Sequence, residues 1–259
     1  MRPAAFALAM WKLIALLMSL GLTDPSSGSG SGAGSAKSTP VEAPGARPDY
    51  RPAGYRYSKA GSHATLRVMK RIEALFEDVR SSEYSHRLRI DRNTGHYAWD
   101  CSAMTNWVLA RSAPKALAAL DKERPVASTY ARTIQRASSR RNPENHWRRI
   151  RDIRDVRQGD IFAWEHPKDF PSRNTGHVGF VLSDAEPLPG IENAYLLRIL
   201  DASSYTHEDD TREEEGPGGF GAGTLLFVTD DDGAVVGYGW RGRHSYLREV
   251  PVYFGRVTG

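Results

Sequence analysis

The feature that most constrains the fold is a change of hydrophobic pattern near Val156. Before this residue, apolar side chains recur at helical spacing, most clearly over residues 64–79, where they form one face of an amphipathic helix. After it, short apolar runs bounded by turn residues predict strands at 160–164, 177–182 and 195–201. Helices followed by strands are typical of α+β proteins. We therefore predict an α+β fold in which an antiparallel sheet packs against the helical part.

The segments between and after these elements complete the prediction. Residues 224–229 and 234–240 flank an Asp-rich turn and predict a hairpin, and residues 250–254 are expected to close the sheet. Residues 84–95 are polar and are predicted to be a loop. The segment 206–223 is acidic and then rich in glycine, which indicates a mobile loop.

The beginning of the chain predicts a signal peptide and a linker. Residues 1–21 combine a basic start, the apolar run 13–20 and small residues suited to cleavage. This pattern predicts export to the periplasm or the exterior of a bacterium, with membrane contact only through the leader before it is removed; an uncleaved anchor is the alternative. Residues 22–54 are rich in Gly, Ser and Pro and predict a disordered linker. One folded domain is therefore expected over residues 55–259.

Charge and cysteine content narrow the classes of partner and site. The formal net charge of +4 is too small to indicate nucleic acid as a partner. Arginines are concentrated over residues 132–157, most simply as a solvated face and alternatively as a surface for an anionic polymer. The aromatic residues that stack on bases are not interleaved with them, so no nucleic-acid partner is predicted. A single cysteine excludes an intrachain disulfide and a thiolate-rich zinc site.

Cys101, the single cysteine, lies in the segment DCSAMTNWVL. Asp100 and Ser102 are residue types that cap helices, and Met104 and Trp107 follow at helical spacing, so the sulfur is predicted at the first turn of a helix. The unpaired N–H groups and the helix dipole favour the nucleophilic thiolate at this position. The sequence therefore indicates a catalytic cysteine, with a small buried apolar residue as the alternative.

A cysteine nucleophile needs a base and a group that orients the base. Among eight histidines, His177 differs because it opens an apolar strand after a turn, so its ring can emerge at the end of a sheet. Asp201 ends the next strand, where a carboxylate can accept a hydrogen bond from that ring. A structural histidine and a strand-end cap are the alternatives for these two residues. No closely spaced pair of ligands accompanies them, so neither a metal site nor a cofactor is predicted.

Four segments that occur in the order DCSAMTNWVL, GDIFAW, TGHVGFVL and ILDASS resemble the NlpC-type cell-wall cysteine peptidases, a papain-like family. In that family a DCSG-like run carries the nucleophile, a GHVG-like strand carries the base, and a polar residue on the next strand completes the triad. The resemblance assigns these roles to Cys101, His177 and Asp201. It implies a papain-like fold and an exported enzyme that hydrolyses peptide bonds in peptidoglycan stem peptides. An amidase or acyltransferase on the same scaffold and a catalytically inactive wall-binding module are the alternatives.

The resemblance also implies residues that bind substrate. Ser102 follows the nucleophile, and either Tyr84 or Tyr97 supplies the tyrosine that often lines the cleft in this family. The segment between Cys101 and the proposed base is longer than the family's core, which predicts a helical insertion over residues 112–157 that forms a lid or a wall of the groove. Peptidoglycan is the expected partner.

Overall fold

The structure is a computed structural model that describes residues 49–53, 60–141, 143, 145–167, 174–242 and 245–259. The predicted signal peptide and the predicted linker up to residue 48 lie outside the described residues. The remainder forms four α-helices and two sheets in the described ranges.

The described α-helices all end before residue 137. They are α1 (His63–Asp78), α2 (Cys101–Ser112), α3 (Pro114–Ala118) and α4 (Ala127–Arg136), and a short 3₁₀ helix follows at Ile153–Asp155. A capping box starts α1, because the Ser62 and Thr65 side chains each accept a hydrogen bond from the other's backbone N–H group. Within the part of the chain that the structure describes, no helix has both the length and the apolar character needed to span a membrane.

The strands form one small and one large sheet. In the small sheet β1 (Ser81–Tyr84) pairs parallel to β3 (His96–Trp99), and β2 (Arg89–Asp91) pairs antiparallel to the other edge of β3. The strands of the large sheet are β4 (Trp147–Ile150), β5 (Ile161–Glu165), β6 (Gly176–Val181), β7 (Glu186–Pro187), β8 (Ala194–Ser203), β9 (Gly219–Thr229), β10 (Val235–Trp240), β11 (Tyr246–Arg248) and β12 (Tyr253–Val257). They lie in the order β11-β10-β9-β8-β6-β5-β12-β4, with β7 paired to β8, and all of these pairs are antiparallel.

Helix α2 packs across the centre of the large sheet, against β6 and β8. The core between them contains Met104 and Val108 from the helix and Val178, Phe180 and Leu200 from the strands, each with no exposed surface. Removing this apolar surface from water is what drives the helix onto the sheet. The prediction of an α+β fold with a mainly antiparallel sheet is confirmed, and the helix that begins at Cys101 is fixed against the two central strands.

The loop predicted over residues 84–95 is wrong, because β2 (Arg89–Asp91) lies within it and pairs with β3. β2 is an edge strand of three residues, of which two are exposed. Neither face of such a strand is buried, so its sequence lacks the alternation of apolar and polar residues by which a strand is recognised.

The helical insertion predicted over residues 112–157 is helical only in its first half. Trp147–Ile150 forms β4, which pairs with β12 at one edge of the large sheet. Trp147 and Ile150 are buried, whereas the two arginines between them are partly exposed, so the charge run conceals a short strand. Tyr130 and Ile134 of α4 are buried in the main core. The inner face of α4 therefore belongs to the core of the domain.

The loop predicted over residues 206–223 ends earlier than expected, because β9 begins at Gly219. His207 and Arg212, which precede this strand, are buried, at 3% and 8% exposure. Polar residues that are buried against one another carry no hydrophobic pattern, so the sequence did not indicate that this segment is fixed inside the protein.

Candidate active site

Cys101 is the first residue of α2, directly after the strand β3 ends at Trp99. Asp100 caps this helix, since its Oδ1 accepts a hydrogen bond of 2.8 Å from the backbone N–H of Ala103. The N–H groups of the first turn have no partner within a helix, and those of Cys101 and Ser102 remain after Asp100 has taken the third. The sulfur therefore lies beside two N–H groups at the positive end of the helix.

His177 lies near the start of β6, opposite Trp164 of β5 in the ladder. Its ring packs against Trp164 and Trp240, at centroid distances of 5.0 and 5.7 Å. The side chain is held firmly as a result, and the residue is 8% exposed.

Asp201 lies on β8, the strand that pairs with β6, and has no exposed surface. Its Oδ2 is 2.6 Å from Nε2 of His177. Because Nε2 is engaged in this hydrogen bond, Nδ1 is the ring nitrogen that is left to exchange a proton with a thiol. The structure thus brings together the His177 and Asp201 side chains that the sequence proposed.

Two residues that the sequence did not single out complete the surroundings of Asp201. His207 Nε2 lies 2.8 Å from the same Oδ2, and Arg212 Nη1 lies 2.9 Å from Oδ1. Asp210 in turn forms an ion pair of 2.7 Å with Arg212. In the sequence this segment is an acidic loop with one histidine and one arginine. The spacing of these two residues does not indicate that both side chains are buried against Asp201 on β8.

Charges around His177 favour its imidazolium form. Burial lowers the pKa of His177, but the Cys101 thiolate and the Asp201 carboxylate together raise it to about 10. Burial raises the pKa of Asp201, yet its interactions with His207, Arg212 and His177 hold that pKa well below the ordinary value. At neutral pH this arrangement keeps Asp201 ionised and gives His177 a proton to donate.

A cleft with a volume of about 600 Å³ opens beside His177. Its walls are mainly aromatic, and its described lining residues include one arginine and three histidines but no Asp or Glu. The lining residues are Tyr84, His86, Trp164, His166, Asn174, Gly176, His177, Ser203, Ser204, Tyr205, Tyr238, Trp240, Tyr246 and Arg248. Cys101 is 5% exposed and is not among the lining residues, but its charge acts on the pKa values of Tyr84 and His177, which do line the cleft.

The three residues predicted to bind substrate lie in different environments in the structure. Tyr84 lines the cleft, and burial together with the charges of Cys101 and Asp100 raises its pKa, so its hydroxyl keeps its proton and can donate a hydrogen bond. Ser102 is buried beside Cys101, with its Oγ 3.8 Å from Sγ of that residue. Tyr97 does not line the cleft; it is buried in the core against Trp99 and Trp107. Of the two tyrosines, the structure therefore places Tyr84 at the site.

The described residues include no group of three or more His, Cys, Asp or Glu side chains arranged to hold a metal ion. What the site offers is a thiol at a helix N-terminus, an imidazole oriented by a buried carboxylate, and an adjoining cleft. These are the parts that nucleophilic attack on a carbonyl carbon requires.

Comparisons with known proteins give this site no established family. No family model matches the chain, and no solved structure matches it significantly. Among curated proteins, an uncharacterized protein of Acanthamoeba polyphaga mimivirus is 27% identical over 181 residues, which cover 61% of this chain and 77% of the viral protein. Because that relative is itself uncharacterized, the comparison assigns neither an activity nor a partner.

Proposed function

We propose that the protein is an exported cysteine peptidase that hydrolyses peptide bonds in peptidoglycan stem peptides. The observation that carries this proposal is that His177, which lines the cleft, is bonded to Asp201 on the paired strand and interacts with Cys101 at the start of a helix. The three residues also match, in order, the motifs of the NlpC-type peptidases.

The first half of the reaction follows from the positions of these groups. The Cys101 thiolate attacks the carbonyl carbon of the scissile bond, and the N–H groups of Cys101 and Ser102 stabilise the oxyanion that forms. The His177 imidazolium then gives its proton to the leaving amine, and the C–N bond breaks to leave a thioester on the sulfur. Asp201 fixes the ring through its bond of 2.6 Å and stabilises the cation.

In the second half, His177 is neutral and acts as a base. It takes a proton from water, the hydroxide attacks the thioester carbonyl, and the peptide leaves as a carboxylic acid while the sulfur is regenerated as a thiolate. The proton taken from water restores the imidazolium, so the site returns to its starting state.

The electrostatics of the cleft support an acidic peptide as substrate. The Arg248 side chain lines it, and none of the described lining residues is an Asp or a Glu. A surface of one sign of charge attracts ligands of the opposite sign and holds them in register. Peptidoglycan stem peptides carry free carboxylates, which fits this lining.

The proposal is tested with Cys101→Ala and Cys101→Ser on purified peptidoglycan. We expect both variants to lose digestion by roughly a thousandfold or more, because no other thiol can take over the attack. The matched control is Asp184→Asn, which changes a charge on an exposed side chain and should digest at the normal rate.

Mass spectrometry of the released fragments identifies the bond. New peptide termini within the stem support a peptidase, whereas release of the whole stem from the sugar would show an amidase that uses the same nucleophile. Digestion that is unchanged in Cys101→Ala would contradict the mechanism. Sedimentation of the wild-type protein with peptidoglycan, without any fragment released, would show a wall-binding module in its place.

A further inference from the structure

The carboxylate of Asp201 is shared between two histidines, and the proposed mechanism uses only one of them. Oδ2 of Asp201 is 2.6 Å from Nε2 of His177 and 2.8 Å from Nε2 of His207. Two N–H groups that donate to one oxygen both draw on its charge, so a change at one donor alters the hydrogen bond that the other makes. The strength with which Asp201 holds the His177 ring thus depends on His207.

His207 is fixed in this position by its own segment of chain. Its backbone N–H donates to Oδ2 of Asp210 at 2.6 Å. Asp210 also accepts three hydrogen bonds from Arg212, one from its backbone N–H and two from its guanidinium, and Arg212 Nη1 donates to the carbonyl of Gly219 at 2.9 Å. These bonds close the segment 207–212 on itself and tie it to β9.

Two glycines of strand β9 provide the space that the His207 and Arg212 side chains occupy. A Cβ atom on Gly223 would lie 2.4 Å from Cβ of His207, and a Cβ atom on Gly221 would lie 2.5 Å from Cγ of Arg212. Residues 221 and 223 lie on the same face of the strand, because side chains alternate along it. Both positions therefore require glycine for His207 and Arg212 to lie over the sheet and reach Asp201.

The surroundings of His207 define its proton state. Trp240 covers the ring at a centroid distance of 4.0 Å, and Nδ1 is buried without a hydrogen-bond partner among the described residues. Burial lowers the pKa of His207 more than Asp201 raises it. The ring is neutral at pH 7, with its one proton on Nε2, and it donates that proton's hydrogen bond to Asp201.

We propose that His207 is a positioning residue. It donates to the same Asp201 carboxylate oxygen as His177 and so determines how tightly that carboxylate holds the catalytic imidazole. This inference rests on the proposed cysteine mechanism. When the His207 donor is removed, the whole of Oδ2 is available to His177, the imidazolium keeps its proton to higher pH, and the ring returns more slowly to the neutral form that activates water.

Other charged and titratable groups surround this pair, and they stay the same in the variants below. They are Cys101 from α2, Tyr84 from β1, His166 after β5, Asp210 and Arg212 from the segment before β9, and Tyr246 from β11.

The test compares His207→Phe with His207→Gln in the full chain. Phenylalanine keeps a ring against Trp240 but has no N–H, whereas glutamine keeps a donor where Nε2 lies. Iodoacetamide modifies the single cysteine, and mass spectrometry gives its rate against pH. We expect the upper inflection of this profile, where His177 loses its proton, to rise by roughly 0.5–1 pH unit in His207→Phe and to stay near the wild-type value in His207→Gln. Digestion of peptidoglycan at neutral pH should fall roughly tenfold in His207→Phe only.

Each result decides a different point. An unmoved inflection in His207→Phe, or an equal shift in both variants, overturns the role of His207 even if the wild type digests peptidoglycan. A shift confined to His207→Phe supports that role even if peptidoglycan is not digested, in which case it is the proposed reaction that fails. If His207→Phe does not fold, ¹⁵N spectra of the wild type decide: a proton on Nε2 alone at pH 7 supports the proposal, and a proton on Nδ1 overturns it.

Discussion

At the scale of single residues, the buried Asp201 carboxylate is the group whose charge must be compensated. It has no exposed surface, and an uncompensated charge in such a place would be strongly destabilising. Two N–H donors on Oδ2 and the guanidinium beside Oδ1 supply the compensation. The same contacts that make the carboxylate tolerable in the interior also orient the imidazole, so stability and the proposed chemistry depend on one set of bonds.

Asp201→Asn should change the dependence of stability on pH. The folded state holds the pKa of Asp201 well below its ordinary value of 3.8, so the carboxylate contributes stability that is fully present above that value and is lost as the pH falls through the folded pKa. Asparagine has no such charge. We expect Asp201→Asn to unfold at a lower urea concentration than wild type at pH 7, with a difference that narrows as the pH falls below 3.8.

Urea titrations from pH 7 down to pH 3 measure this difference. Asp184→Asn, on an exposed side chain, is the control and should follow the wild type throughout. A constant gap between Asp201→Asn and wild type over the whole range would mean that the carboxylate's charge is not what stabilises the fold.

At the scale of elements, the small sheet places Tyr84 at the cleft. Ser82 of β1 is the link, because its Oγ donates to the carbonyl of Tyr97 on β3 and accepts from the N–H of Phe220 on β9, both at 2.9 Å. The small sheet is thereby joined to the large one through a buried side chain. Tyr84, two residues further along β1, is held beside Cys101 as a consequence.

Tyr84→Phe should lower the rate of peptidoglycan digestion without a comparable loss of stability. The hydroxyl of Tyr84 keeps its proton and lies at the cleft, where it can donate a hydrogen bond to the substrate or to the oxyanion. We expect a roughly ten- to hundredfold loss in kcat/KM, which is the range for loss of one hydrogen bond to a charged group. Tyr97→Phe, which removes a hydroxyl from the core residue of β3, is the matched control and should keep the normal rate. Equal rates in the two variants would remove Tyr84 from the mechanism.

The parts of the fold and of the candidate site that could be predicted are those that depend on local sequence patterns. The helix at Cys101 and the strands of His177 and Asp201 were predictable because they are local patterns of caps and apolar runs. β4 was hidden, since two arginines occupy its middle. His207 and Arg212 were missed because their partners are defined only by the fold: Asp201 is on another strand, and the space comes from two glycines of β9.

At the scale of the whole molecule, the last strand joins distant parts of the chain. β12 lies between β5 and β4 in the large sheet, and Arg256 within it forms two hydrogen bonds of 2.8 Å with Asp160. A third bond, of 2.9 Å, reaches the carbonyl of Asp155 in the 3₁₀ helix. The carbonyl of Val257 accepts from the Ser62 hydroxyl at 2.7 Å, which ties this strand to the start of α1.

Arg256→Met should therefore destabilise the entire domain. Asp160 has no exposed surface and Arg256 is 7% exposed, so the substitution leaves a buried carboxylate without its partner. Loss of one member of such a pair lowers the free energy of unfolding by about 3–5 kcal/mol. Urea denaturation measures the change. Arg154→Met, which breaks a pair on an exposed arginine, should stay close to wild type. The double variant Asp160→Asn with Arg256→Met should recover part of this loss, because it no longer contains an unpaired buried charge. If the double variant is as unstable as Arg256→Met, the loss of stability comes from lost packing of the arginine stem and not from the buried charge.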